Sequence, residues 1–166
     1  MTPIKQTITH DPENGKYGNC MQAVFASILD LPLEEVPHFM EKNPSADYLW
    51  PAVNKWLASK GYALFTTMYT NRLDDIQYYM KNYNDGVYYI LSGTSPRGFC
   101  HNVIGMGNDI VHDPAPDGGG IVDPGPDGYY WVEVLVPAKM CSVPFRGNMP
   151  GLMGDVNGPG CDPDVP

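Results

Sequence analysis

The hydrophobic pattern of this chain changes period once, and that change constrains its fold more than any other feature. Up to about residue 81 the apolar residues recur at helical spacing. Met21, Val24, Phe25 and Ile28 fall at i, i+3, i+4 and i+7, which predicts a helix with one buried face. Asn19 precedes it as an N-cap residue, and Pro32 stops its continuation beyond about Leu29. Ala23 and Ala26 allow that helix to pack closely on its neighbours. Leu33–Val36 predicts one more helical turn. Asp47–Lys60 predicts a second amphipathic helix, with Leu49, Val53, Trp56 and Leu57 inward, Pro51 in its first turn and Gly61 at its C-terminal cap. Leu73–Lys81 predicts a third, because Leu73, Ile76 and Met80 share a face. From residue 86 the pattern is that of strands: Gly86–Leu91, Phe99–Met106, Ile110–His112 and Tyr129–Val136, with Gly107, Asn108 and Asp109 as a tight turn. Tyr62–Thr67 and Ile4–Ile8 are further candidate strands. Helices followed by an antiparallel sheet make an α+β domain.

The length of 166 residues, 43% of them hydrophobic, fits a single domain with one core. The 18 glycines and 17 prolines concentrate in the 114–128 loop and beyond Pro137. The expected organisation is a folded domain over 1–138 and a Pro/Gly-rich tail over 139–166, in which Met140, Phe145 and Met149 could pack down as a strap. Lys and Arg total 10 against 19 Asp and Glu, a formal charge of -9. That balance repels phosphate backbones, so no nucleic-acid partner is expected. No run of about 18 apolar residues occurs, so no membrane span is expected. The N-terminus lacks the apolar core of a signal peptide, and reduced thiols in a cytoplasm follow as the expectation. The cysteines are Cys20, Cys100, Cys141 and Cys161, with no C-x-x-C pair to make a zinc knuckle. The glycines at 118–120 lack the lysine and following helix of a phosphate loop. Asp113, Asp117, Asp123 and Asp127 fall in one glycine-rich loop that could hold calcium, but without the spacing of an EF-hand. No cofactor and no metal are called for. The oligomeric state is left open.

The residues that carry chemistry lie on either side of the change in period. Cys20 sits in the opening turn of the first helix. Free amides and the positive helix end point there, lower a thiol's pKa and favour the thiolate. The Cys20 amide can also donate to an oxyanion. The plainer reading is a small buried residue, since free cysteines are often inert. His101 lies near the start of a predicted strand that turns at Gly107 and returns through Ile110 to Asp113. In a hairpin the start of one strand lies beside the end of the next, so His101 and Asp113 should meet at one sheet end. A carboxylate there orients the imidazole and leaves its other nitrogen for a thiol. The plainer reading is a polar pair at a sheet end. His112 should face away from Asp113, and Cys100 away from His101, where it reads as core. His38 reads as a structural polar residue, and the tryptophans and tyrosines as core or cleft wall. The glycine-rich loop after Asp113 should border the site as a flexible lid.

A helix-start cysteine, a strand-start histidine and an aspartate across a hairpin, in that chain order, resemble the papain-like cysteine peptidase superfamily. The resemblance is to its compact bacterial branch, which includes the bacteriocin-processing peptidases. Gly18-Asn19-Cys20 with Ala23 and Ala26 is similar to the opening of that branch. His101-Asn-Val-Ile-Gly followed by Val111-His-Asp113-Pro114 is similar to its ending. The segment from Cys20 to Pro37 also resembles small phage and bacterial proteins. The resemblance covers residues 6–136 in topology and is specific around 14–37 and 99–114.

It implies a papain-like fold, the nucleophile helix packed on the sheet, and acyl transfer: Cys20 as nucleophile, His101 as base, Asp113 as orienter, a peptide or protein as substrate. That branch carries a glutamine six residues before the cysteine, whose amide lines the oxyanion hole. Here Asn14 holds that position, Gln6 lies further back, Asn19 is adjacent, and all three are candidates. Met21 stands where the branch has glycine. The alternative function is a catalytically silent papain-like fold serving as a phage or bacterial binding or inhibitor module. A third reading is a metal protein using Cys20, His101 and Asp113.

Overall fold

The structure is a computed structural model and describes residues 1–138. The expectations for Cys141, Cys161 and the 139–166 tail lie outside the described residues. Three helices and one five-stranded antiparallel sheet make up an α+β fold. The helices are α1 (Cys20–Ile28), α2 (Ala46–Ser59) and α3 (Leu73–Tyr83). The strands are β1 (Tyr62–Thr70), β2 (Tyr88–Thr94), β3 (Cys100–Met106), β4 (Asp109–His112) and β5 (Tyr130–Pro137), in the spatial order β1-β5-β2-β3-β4. No described helix is long and apolar enough to cross a membrane.

The strand period of two divides the core between the two faces of the sheet. Ile90 and Ile104 face α1 and α2 and pack with Val24, Phe25, Val53 and Leu57. Tyr89, Leu91, Val103 and Val132 face the other way, toward Ile76 and Met80 of α3. Helix α1 is more deeply placed than its single apolar stripe predicts. Ala23, Val24, Phe25, Ala26 and Ser27 are all buried, and Ser27 meets its hydroxyl's needs by donating to the Ala23 carbonyl at 2.7 Å. Small residues on its flanks let it press against the sheet. Phe39 meets Phe25 and Trp56 edge-on, and Phe25 and Trp56 are tilted at 44°, a ring cluster packed on this core.

Several local expectations are corrected. Pro51 lies inside α2, past its first turn, because that helix starts at Ala46 after Ser45. The ring then removes the amide that would bond to the Asp47 carbonyl. The Ile4–Ile8 segment joins no ladder and bends at Thr7 and Ile8. Its amides are taken by other groups: Ile4 by the Ser27 hydroxyl, Gln6 by the Pro114 carbonyl, and Thr7 and Ile8 by the Asn19 side chain. Asn19 precedes α1 but makes no side-chain cap, since its carbonyl oxygen is committed to those two amides. Cys100 is exposed, not core: it opens β3 at the sheet end, where its ladder partner Thr94 closes β2.

Candidate active site

The first residue of α1 and the end of the β3–β4 hairpin meet at one end of the sheet. Here a cavity of about 510 Å³ is bordered by Cys20, His101, Asn102, Gln6 and Trp50. Cys20 and His101 both border it.

The His101–Asp113 pair forms as expected. The ring Nε2 of His101 lies 2.7 Å from Asp113 Oδ1, and His101 is 3% exposed. Why Asp113 sits there follows from its backbone surroundings. Its Oδ1 also accepts from the Ala115 amide at 2.7 Å, and its Oδ2 accepts from the Gly120 amide at 2.7 Å. The chain after β4 thus folds back onto its own carboxylate. Burial alone would raise the Asp113 carboxyl, but the bonds from His101, Ala115 and Gly120 outweigh it and hold the group below its ordinary value. An anionic Asp113 keeps a proton on Nε2 and leaves Nδ1 as the basic nitrogen. Lys5 reinforces the corner by donating to the carbonyls of Asp113 and Ala115, each at 2.8 Å.

Cys20 differs from expectation. Its sulfur lies 3.7 Å from Asn102 Oδ1, and among the described residues no hydrogen bond joins it to His101. Strand alternation explains this. Asn102 shares the α1 face with Ser92 and Ile104, whereas His101 shares the opposite face with Gly93 and Val103. Only at the sheet end do both faces open on the cavity. The thiol is also not acidified. Burial raises its pKa, and the amides of Asn102, Met21 and Cys20 pull downward without overcoming that. The helix start acts in the expected direction, and desolvation exceeds it. Burial therefore disfavours ionisation of Cys20 more than the helix start favours it.

The three oxyanion candidates occupy different environments. Asn14 ends an exposed 3-10 turn (Pro12–Asn14) and bonds to Asp11, away from the cavity. Asn19 is buried and fully committed: Oδ1 accepts from Thr7 and Ile8, and Nδ2 donates to Thr7 Oγ1 and Gln22 Oε1. Gln6 borders the cavity and is 5% exposed. Its Nε2 gives one hydrogen to the Ile8 carbonyl at 3.1 Å and keeps a second, while Oε1 is buried without a partner. An orphaned acceptor of this kind costs about 1–3 kcal/mol. Such a cost is recovered when a ligand supplies the missing donor.

The remaining polar residues have structural partners. His112 faces away from Asp113 and bonds to the Ile4 carbonyl, and His38 bonds to the Gly18 carbonyl. The four loop aspartates do not converge. Asp113 holds His101, Asp117 lies by Arg97, Asp123 bridges to Thr94, and Asp127 takes the Trp131 indole. The loop itself is pinned rather than lid-like: Gly120 is tied to Asp113, and Val122 and Asp123 donate to the Thr94 carbonyl. Asn102 was not singled out by sequence reasoning. Counting back by two from the apolar Ile104 would have placed it on the helix side, and His101 on the other.

No protein-family model, curated protein or solved structure matches this chain.

Proposed function

We propose that this protein is a papain-like cysteine-nucleophile acyl-transfer enzyme acting on a peptide-like amide. One observation carries the reading: Cys20, at the first position of α1, and His101, held by Asp113, border a single cavity large enough for an extended peptide segment. His101 Nδ1 takes the Cys20 proton as Sγ attacks the carbonyl carbon. The new S–C bond and the later loss of the C–N bond leave a thioester, and the same proton passes to the departing amine. Water then cleaves the thioester. Gln6 Nε2 and the Cys20 amide are the available donors to the oxyanion. Because the sulfur lies against Asn102 and burial disfavours its ionisation, His101 acts as a general base during attack.

That same Asn102 contact favours a second reading, a silent papain-like binding module in which Cys20 is packing. Iodoacetamide alkylation of Cys20, followed by mass spectrometry against pH, separates them. With general-base assistance, wild type at pH 7.5 reacts at least about tenfold faster than His101→Ala. Superimposed profiles, rising only as an ordinary or weaker thiol ionises, would exclude the enzyme and leave the binding module.

A further inference from the structure

A second cavity of about 490 Å³ lies between α2 and the sheet. Trp50 and Ser92 line both this cavity and that of Cys20, so the two adjoin. Glu133 of β5 borders it, with Thr66 from β1 beside it in register and Ile90 from β2 on its other side. Trp50 and Trp131 supply aromatic wall. The Trp131 indole is fixed by donating to Asp127 Oδ2 at 2.7 Å, and Asp127 also borders the cavity.

The position of Glu133 is the unusual feature. It is 8% exposed, on the sheet face where its neighbour two residues on, Leu135, packs into the core with α1 and α2. A glutamate is rarely so buried unless paired. Of the charged side chains lining the cavity, Glu133 and Asp127 are both acidic; α2 contributes Trp50 and Asn54, β1 Leu64 and Thr66, β2 Ser92. No basic residue lines it among those described. Burial accordingly pushes the Glu133 carboxyl up to about 7, with Thr66 offsetting a little. A hydrophobic residue or a glutamine at this position would cost the fold less. Two carboxylates and two indoles around one cavity match a cation carried on an apolar stem, which aromatic rings attract through cation–π contact and a carboxylate through a charge-assisted bond.

We propose that this cavity receives a lysine or arginine side chain of a peptide whose backbone passes Cys20, so that the substrate class is a basic peptide. The proposal rests on the acyl-transfer reading only for the position of the peptide backbone. The net charge of -9 steers the same ligand toward the protein.

The test is titration calorimetry of the full chain at pH 8 with two blocked pentapeptides, lysine or norleucine flanked by alanines. The lysine peptide binds at least about tenfold more tightly, and Glu133→Gln removes the difference. Trp50→Leu, at a wall position that is 37% exposed, weakens lysine binding without touching either carboxylate. Lowering the pH to 6 narrows the lysine preference, since Glu133 then gains its proton. Equal affinities, or a lysine preference that survives Glu133→Gln, would overturn the proposal. Cys20 alkylation is scored separately. A lysine preference on a protein whose Cys20 ignores His101 supports the cavity and removes the enzyme. Assisted Cys20 without a preference removes the cavity alone.

Discussion

Replacing Asp113 by alanine withdraws one acceptor from three donors at once. The imidazole of His101 and the amides of Ala115 and Gly120 all lie 2.7 Å from its oxygens. Hydrogen bonds to a charged group are worth about 1.5–3 kcal/mol each. They share one carboxylate, so their losses do not add. Ala115 is buried, while Gly120 is partly exposed and regains water. A net loss of ~3–5 kcal/mol follows from those bond strengths. At about 2–4 °C per kcal/mol for a chain of this size, Tm falls by ~6–20 °C. Thermal and urea denaturation measure the total, and amide exchange locates it: Gly120 should lose protection by a larger factor than amides in β2. Asp113→Asn keeps one carbonyl oxygen and should lose about half as much. A stability change under ~1 kcal/mol for Asp113→Ala, or unchanged exchange at Gly120, would refute the clamp.

Three further outcomes are expected. Asp113 and Glu133 pull the pH dependence of stability in opposite directions. The depressed Asp113 group stabilises fully above its unfolded value near 4 and loses that contribution on further acidification. Glu133, raised from 4.5 to about 7, favours the fold while protonated, and that contribution declines as pH rises through this window. Urea denaturation should therefore find Glu133→Gln more stabilising at pH 8 than at pH 5, by ~2–3 kcal/mol, with no pH difference as the contrary result. Gly105→Ala places a methyl group inside the ring of Tyr89, which is buried and bonded to the Gly107 carbonyl, so denaturation should show a loss of ~2–3 kcal/mol; a neutral effect would mean that the ring moves freely. Asn102→Ala frees the Cys20 sulfur from its partner and should raise His101-dependent alkylation about threefold or more, whereas an unchanged rate would show that Asn102 does not hold the thiol.

Short-range pattern made much of this fold legible. Val24 and Phe25, Val53 and Leu57, and Ile76 and Met80 are buried as their helical spacing requires. The hairpin argument needs only a turn at Gly107 and a count of residues, and it brings His101 to Asp113. What was not legible depends on distant parts of the chain. Nothing local in Tyr130–Pro137 says that this strand enters between β1 and β2. Thiol acidity at a helix start is a contest between burial and hydrogen bonds, and one of those bonds comes from Asn102, 82 positions away. Side-chain commitment was equally hidden: Asn19 looks available in sequence and is exhausted by four bonds in space. The charge on Glu133 reads as an ordinary outward residue of an alternating strand until α2 is laid over that face.

The strand order has a consequence for how the chain reaches its native state. The last strand, β5, fills the gap between β1 and β2, with Tyr62 opposite Pro137 and Ile90 opposite Glu133. Until it is in place, β1 has no neighbour in the sheet and β2 has one bare edge. Both present unpaired amides and carbonyls that other copies can pair with. Closing this gap joins residues far apart in sequence, which makes it slow compared with forming the β2–β3–β4 meander. During synthesis the ribosome must release residue 137 before the sheet can close. A chain cut short of β5 would keep its Cys20 helix and its His101–Asp113 hairpin yet be left as two sticky fragments of sheet, prone to aggregate rather than to act.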